Sequence, residues 1–157
     1  GVRLNDIKGG LEKLKSVSGR LGIKKGMNGA RVLDDTYNAN PSSLVAGVEV
    51  LKLAGGERVL VLGDMAELGD AAADIHRRAG ELAQRLGIHR LFAIGELSRN
   101  AVAGFGKGAQ HYPTQQALID DLRDCMHADM TILVKGSRVM QMERVVEQVT
   151  GNGKRSN

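Results

Sequence analysis

The feature that most restricts the fold is a repeated alternation between short, predominantly apolar runs and longer segments with helical periodicity. Residues 58–62, 91–94 and 130–134 lack the polar alternation of a half-exposed strand, which is typical of strands buried on both faces. Between them, segments such as 71–86 and 114–127 repeat apolar residues along one helical face. The pattern predicts a doubly wound α/β fold, with a mostly parallel sheet covered by helices on both faces.

Capping residues predict where several of these helices begin. Asn40 is a favourable N-cap, and Pro41 is a favourable first helical residue. Thr114 is predicted to cap a helix that extends to about residue 127. In the same way, Ser137 is predicted to cap a final helix that turns Val139, Met142, Val146 and Val149 inward. Two short strands, 21–24 and 30–34, are expected around a glycine-rich turn.

The chain divides into three parts. Residues 1–17 are expected to be the tail of a preceding domain with a linker helix, residues 18–150 an α/β domain, and residues 151–157 a disordered tail. The chain begins with Gly1, so we expect a fragment of a longer protein. The 42% apolar and 25% charged fractions are those of a globular protein, and no apolar run is long enough for a membrane span.

The charge distribution argues against nucleic-acid binding. Residues 1–31 carry a net charge of +6, and residues 32–157 carry −2, so the basic residues do not cover the α/β body. The chain has no Trp, two Phe and two Tyr, too few aromatic side chains for a base-stacking surface. Its single cysteine, Cys125, suits a reducing compartment and is interpreted as structural.

In doubly wound sheets, ligands collect outside the carboxyl ends of the strands. Asp34 and Asp35 end one strand and Asn40 follows at a helix start, so this segment could hold the edge of a nucleotide. The alternative is that Asn40 only caps its helix and the aspartates are solvated. Asp64 follows the next strand and could bind an ammonium group or a metal, and the alternative, which the local sequence favours, is a polar connection with a turn at Gly69.

The last apolar run is followed by Lys135-Gly136-Ser137-Arg138, where two cations stand beside a predicted helix start. Such a site can receive a carboxylate or a phosphate, and the alternative is a positively charged turn. No phosphate-binding P-loop pattern occurs in the chain. The four histidines show no paired metal-ligand spacing, and His76 is interpreted as a histidine at the edge of the core.

Taken in order, these motifs resemble the C-terminal domain of the Mur ligases. LKSVSGRL (14–21) resembles the joint before that domain. LDDTYNANPSS (33–43), VLGDMAELG (61–69) and ILVKGSR (132–138) resemble motifs of the members that add D-alanyl-D-alanine. The resemblance extends over residues 4–150 and implies the same Rossmann-like α/β fold.

The resemblance also implies an activity and the parts needed for it. Such ligases form an amide bond through an acyl phosphate made from ATP, and they join D-alanyl-D-alanine to UDP-N-acetylmuramoyl-tripeptide. ATP and Mg²⁺ are held mainly by a central domain, and the uridine nucleotide by an N-terminal domain. Residues 1–157 alone should therefore be inactive, as a lid domain of a bacterial cytoplasmic enzyme.

Individual roles carry over from the matching motif positions. For ATP, the resemblance implies the residues Arg20, Asp35, Tyr37, Asn38 and Asn40. For the dipeptide, our hypothesis places Asp64 on the ammonium side and places the carboxylate, as an anion beside a predicted helix start, at Lys135, Gly136, Ser137 and Arg138.

Two other interpretations remain open from the sequence. A response-regulator receiver domain has a similar order of residues, with Asp34-Asp35, Asp64 and Lys135 at successive strand ends, but Lys135 is followed by Gly136 where a receiver has proline. Another amide ligase of the same superfamily, such as a folylpolyglutamate or D-glutamate-adding enzyme, is the second alternative.

Overall fold

The computed structural model describes residues 9, 22–37 and 39–150. The strands are β1 (Gly22–Lys25), β2 (Arg31–Asp35), β3 (Glu57–Gly63), β4 (Arg90–Ile94), β5 (Ala109–Tyr112) and β6 (Met130–Lys135). The helices are α1 (Pro41–Lys52), α2 (Ala72–Arg85), α3 (Ser98–Phe105), α4 (Gln115–Cys125) and α5 (Glu143–Val149). The predicted linker helix and the predicted disordered tail lie outside the described residues, apart from Gly9.

The six strands form one sheet in the order β1-β2-β6-β3-β4-β5. Only β1 runs antiparallel, paired with β2, and the other pairings are parallel. The last of the described strands, β6, lies between β2 and β3, and all six of its residues are buried. The mostly parallel α/β fold predicted from the sequence is therefore confirmed.

Helices cover both faces of the sheet because alternate residues of the same strands point to opposite sides. On one face, Leu33 and Leu133 pack in a cluster with residues of α1, α2 and α3. On the other face, Val32 and Ile132 pack in a cluster with residues of α4 and α5. None of the helices in the described part of the chain is long and apolar enough to cross a membrane.

Two helix starts follow the local sequence as predicted. The Asn40 side chain accepts a hydrogen bond from the Ser43 amide at 2.9 Å, while the Ser43 hydroxyl accepts one from the Asn40 amide at 3.1 Å. This reciprocal arrangement is a capping box, which satisfies amides that have no partner inside the helix. Thr114 accepts from the Ala117 amide at 3.1 Å and caps α4 in the same way.

The prediction of a single helix from Ser137 is wrong. Ser137 is followed by a 3₁₀ turn, Arg138–Met140, without a side-chain cap, and α5 starts only at Glu143. The break comes from Gln141, whose left-handed φ of 51° ends the turn. Val139, predicted to point inward, is 80% exposed, whereas Met142 is fully buried.

Candidate functional site

The carboxyl ends of the three central strands are connected by side-chain and backbone contacts. Asp35, at the end of β2, forms a buried ion pair with Lys135, at the end of β6. The backbone amide of Ser137, just beyond β6, donates a hydrogen bond of 3.0 Å to the backbone carbonyl of Asp64, just beyond β3. Asp35, Asp64 and Ser137 therefore lie together at the carboxyl end of the sheet.

The Asp64 carboxylate extends this connection to β4. Its oxygens accept from the Leu97 amide at 3.2 Å, the Ser98 amide at 2.8 Å and the Ser98 hydroxyl at 2.7 Å. Because the Leu97 side chain has no oxygen with which to cap α3, the Asp64 carboxylate supplies that cap from the end of another strand. Gly95 permits this approach, since a β-carbon there would overlap the carboxylate. A role for Asp64 with the dipeptide stays a prediction.

The Asp35–Lys135 pair is fully enclosed. Both residues have 0% exposure, and no hydrogen-bond partner for Asp35 Oδ1 occurs among the described residues. The pair lies under α1, which comes close at Gly47: a β-carbon there would lie 3.4 Å from Lys135 Cδ, an ordinary contact, and 3.0 Å from Leu133 Cδ2, a tight one. Burial lowers the pKa of Lys135, and the Asp35 carboxylate opposes that shift.

An open cleft of about 380 Å³ lies beside this pair. We call it the switch-point cleft, and it is lined by Asp34, Thr36, Tyr37, Arg138 and Glu143. The chain leaves β2 towards α1 on one face and leaves β6 towards α5 on the other. The cleft is therefore at a topological switch point, where doubly wound sheets bind their ligands.

The two walls of the cleft touch each other through Tyr37 and Arg138. The Arg138 guanidinium carbon is 5.0 Å from the centre of the Tyr37 ring, a cation–π distance. The Asp34 carboxylate accepts hydrogen bonds from the Lys24 ammonium and from the Thr36 hydroxyl, each at a distance of 2.8 Å. The cleft thus presents an aromatic ring, a cation and hydrogen-bonding oxygens, which suit a ligand with a planar part and an anionic part.

The structure separates the predicted site residues into exposed and enclosed groups. Tyr37 and Arg138 are exposed on the cleft, and Asn40 is exposed at the start of α1, where its side chain serves as the cap. Lys135 is buried against Asp35, and Gly136 and Ser137 are also buried. Contacts of these enclosed residues with a ligand stay predictions. Arg20 and Asn38 lie outside the described residues.

Three cleft residues were not assigned individually as ligand contacts. Asp34 and Thr36 lie in the segment that the sequence predicted to hold the edge of a nucleotide, and the alternation of β2, which turns Asp34 away from Asp35, could have singled out Asp34. Glu143 had no sequence signal, because its place depends on the late start of α5.

His76 and the other candidate metal ligands give no metal centre. No group of three or more His, Cys, Asp or Glu within residues 22–37 and 39–150 could hold a metal ion. His76 is fully buried, accepts from the Met65 amide at 3.0 Å and donates to the Ala72 carbonyl at 2.7 Å. The histidine predicted for the edge of the core is thus fully enclosed, and its contacts hold the loop that follows β3.

A family model described as "Mur ligase, glutamate ligase domain" matches residues 19–138. The chain is 43% identical over 155 residues to UDP-N-acetylmuramoyl-tripeptide–D-alanyl-D-alanine ligase of Escherichia coli K12, covering 98% of this chain and 34% of the relative. It is 33% identical to the enzyme of that name from Bacillus subtilis, covering 95% and 34%. The chain thus spans about a third of the length of these relatives.

Solved structures agree with the sequence comparison. MurF from Acinetobacter baumannii superimposes with a TM-score of 0.76 at 30% identity, covering 83% of this chain and 30% of that one. MurF ligase from Thermotoga maritima, in complex with ADP, gives 0.73 at 25% identity, covering 82% and 30%. The receiver-domain interpretation is wrong, because these matches are to ligases. In addition, the Asp64 carboxylate, which that interpretation compared with a strand-end aspartate of a receiver, is engaged as the cap of α3.

Proposed function

This chain belongs to the Mur ligase family, through its glutamate ligase domain, and we propose that it is the C-terminal domain of a bacterial ligase that joins D-alanyl-D-alanine to UDP-N-acetylmuramoyl-tripeptide. The observation that carries the proposal is 43% identity to an enzyme of that name over 98% of this chain. The same name on the relatives from Bacillus subtilis and Haemophilus influenzae favours it over the other amide ligases. We propose a cytoplasmic location for the enzyme.

In this proposal the reaction proceeds in two steps. A carboxylate oxygen of the tripeptide attacks the γ-phosphorus of ATP, which forms an acyl phosphate and releases ADP. The amine of D-alanyl-D-alanine then attacks the acyl carbon, inorganic phosphate leaves, and the amine gives up a proton. Mg²⁺ and the triphosphate would be held mainly by the rest of the ligase, since the described residues offer no metal-binding cluster and the chain has no P-loop.

The contribution of this domain would be to close the active site and to present the dipeptide. The switch-point cleft is open to solvent in the domain alone, so a second domain placed over it would enclose the bound substrates. Enclosure protects an acyl phosphate from water, and movements of this kind complete many active sites. The domain partners in this proposal are therefore the central and N-terminal parts of the same ligase.

The proposed ligand contacts follow the two walls of the cleft. On the wall after β2, Tyr37 would contact the nucleotide, together with Arg20, Asn38 and Asn40. On the wall after β6, Arg138 would pair with the dipeptide carboxylate, because it is a cation exposed on the cleft. Direct contacts by Asp35 and Lys135 would require their ion pair to separate.

The test is the full-length ligase, assayed for ADP release that depends on D-alanyl-D-alanine and UDP-N-acetylmuramoyl-tripeptide. We expect ligation by the full-length enzyme and none by the 157-residue chain alone. Arg138→Ala should raise the KM for the dipeptide about tenfold or more, because a charge-assisted contact is lost. The matched control is Arg144→Ala, which removes an exposed arginine of α5 outside the cleft lining. A full-length enzyme without dipeptide-dependent ADP release would contradict the proposal.

A further inference from the structure

We propose that Asp35 and Lys135 are positioning residues, whose buried ion pair fixes the distance and register between the two walls of the switch-point cleft. The inference rests on the proposed function, and it gives these residues a role other than contact with a ligand. Asp35 is the last residue of β2 and Lys135 the last residue of β6, and the two are direct partners in the parallel register. The cleft residues Tyr37 and Arg138 follow them by two and three positions.

The pair is poorly suited to a purely stabilising role. Both charges are removed from water, and a buried ion pair often gives no more stability than well-packed apolar residues of similar volume. The Asp35 carboxylate is also incompletely compensated, since its Oδ1 has no hydrogen-bond partner among the described residues. The lowered pKa of Lys135 agrees with this, because burial there outweighs the attraction of the carboxylate.

The residues around the pair are apolar, so the ion pair is the directional contact between the ends of β2 and β6. On the same face, the preceding inward residues of the two strands are Leu33 and Leu133, whose packing depends on burial and has little directional preference. The pair, in contrast, bonds one atom of β2 to one atom of β6. The helix α1 closes over it at Gly47, where a β-carbon would lie 3.0 Å from Leu133 Cδ2 and 3.4 Å from Lys135 Cδ.

The consequence for the cleft is that one interaction sets both walls. If the pair fixes the strand ends, it also fixes Tyr37 relative to Arg138, which are 5.0 Å apart from ring centre to guanidinium carbon. Loss of the pair would then disturb the nucleotide wall and the dipeptide wall together. Direct ligand contacts predict a different result, in which Asp35 affects only ATP and Lys135 affects only the dipeptide.

The experiment uses the full-length ligase and replaces both charges at once, with the double variant Asp35→Leu/Lys135→Met. We expect its unfolding midpoint to stay within about 3 °C of the wild type, since apolar residues can replace a buried pair without loss of stability. We expect kcat/KM to fall about 100-fold, with the KM values for ATP and for D-alanyl-D-alanine both raised about tenfold, because misplaced binding groups lose this much. The matched control is Arg77→Met/Glu81→Leu, which removes an exposed ion pair of α2 and should leave the kinetics unchanged.

Each other outcome overturns the proposal. Wild-type kinetics in the folded double variant would make the pair dispensable for function, and a double variant that fails to fold would make it a stability element. The single variants Asp35→Asn and Lys135→Met provide a second test. If Asp35→Asn raises only the KM for ATP and Lys135→Met raises only the KM for the dipeptide, the two residues are ligand contacts and the proposal is wrong. Failure of the proposed function itself would be distinct, because the wild-type ligase would then be inactive.

Discussion

Gly95 leaves open the space that the Asp64 carboxylate occupies. Its φ of +105° is unfavourable for other residues, and a β-carbon would overlap the Asp64 carboxylate that caps α3. We predict that Gly95→Ala lowers the free energy of unfolding of the 157-residue chain by about 3 kcal/mol, from backbone strain and overlap together. The measurement is urea unfolding.

Gly69 provides the control for this substitution. It also has a positive φ, +64°, but a β-carbon there would meet nothing within 4 Å. Gly69→Ala should therefore cost about 1 kcal/mol, the backbone contribution alone. Equal losses at the two positions would show that the close approach to Asp64 has no energetic consequence.

Tyr112 makes stability sensitive to alkaline pH. Burial, and then the hydrogen bond that its hydroxyl donates to Asp121, raise the pKa of Tyr112 above its ordinary value near 10. In the unfolded chain the phenol releases its proton near pH 10, while the folded chain still holds it. The stability that this group contributes is therefore complete below about pH 10 and is lost as pH rises further.

The prediction for Tyr112 is a smaller alkaline loss in Tyr112→Phe. Below about pH 10 the variant should be less stable than the wild type, because it lacks the bond to Asp121. The difference should shrink as pH rises above that value. Urea midpoints measured at several pH values test this, and a difference that stays constant across the range would refute it.

At the scale of elements, the start of α1 depends on one side chain. Asn40 accepts from the Ser43 amide and forms the capping box. We predict that Asn40→Ala destabilises the 157-residue chain by about 1 kcal/mol, whereas Asn40→Asp keeps most of the stability because a carboxylate caps equally well. Thermal unfolding of the two variants measures the difference, and equal losses would mean that the cap is not the stabilising contact.

The elements show which features the sequence could predict. Caps such as Asn40 and Thr114 depend on residues three positions apart, so local chemistry was sufficient. The break before α5 was missed because Gln141 adopts a left-handed φ, a conformation uncommon outside glycine. The Asp35–Lys135 pair was also missed, since the two residues are 100 positions apart and the order of the strands brings them together.

At the scale of the whole molecule, the sheet should be most resistant to opening at its centre. β6 pairs with β2 on one side and β3 on the other, and all its residues are buried. β5 is an edge strand of four residues, only one of them buried. We predict that amides of β6 exchange with solvent at least about 100-fold more slowly than those of β5, because only extensive unfolding exposes them.

Native-state hydrogen exchange of the 157-residue chain measures this difference. β1 offers a second edge strand for comparison, since it pairs only with β2. Equal protection of β5 and β6 would contradict the prediction, because it would mean that the sheet opens only as a unit.

The position of β6 also has a consequence for synthesis on the ribosome. Of the described strands, β6, which fills the middle of the sheet, is translated last, so β2 and β3 have no partner between them until Met130–Lys135 has left the exit tunnel. A nascent chain stalled before that point exposes two unpaired apolar strand edges, which are sites of aggregation. Chaperone capture of stalled chains should therefore end abruptly once β6 has emerged.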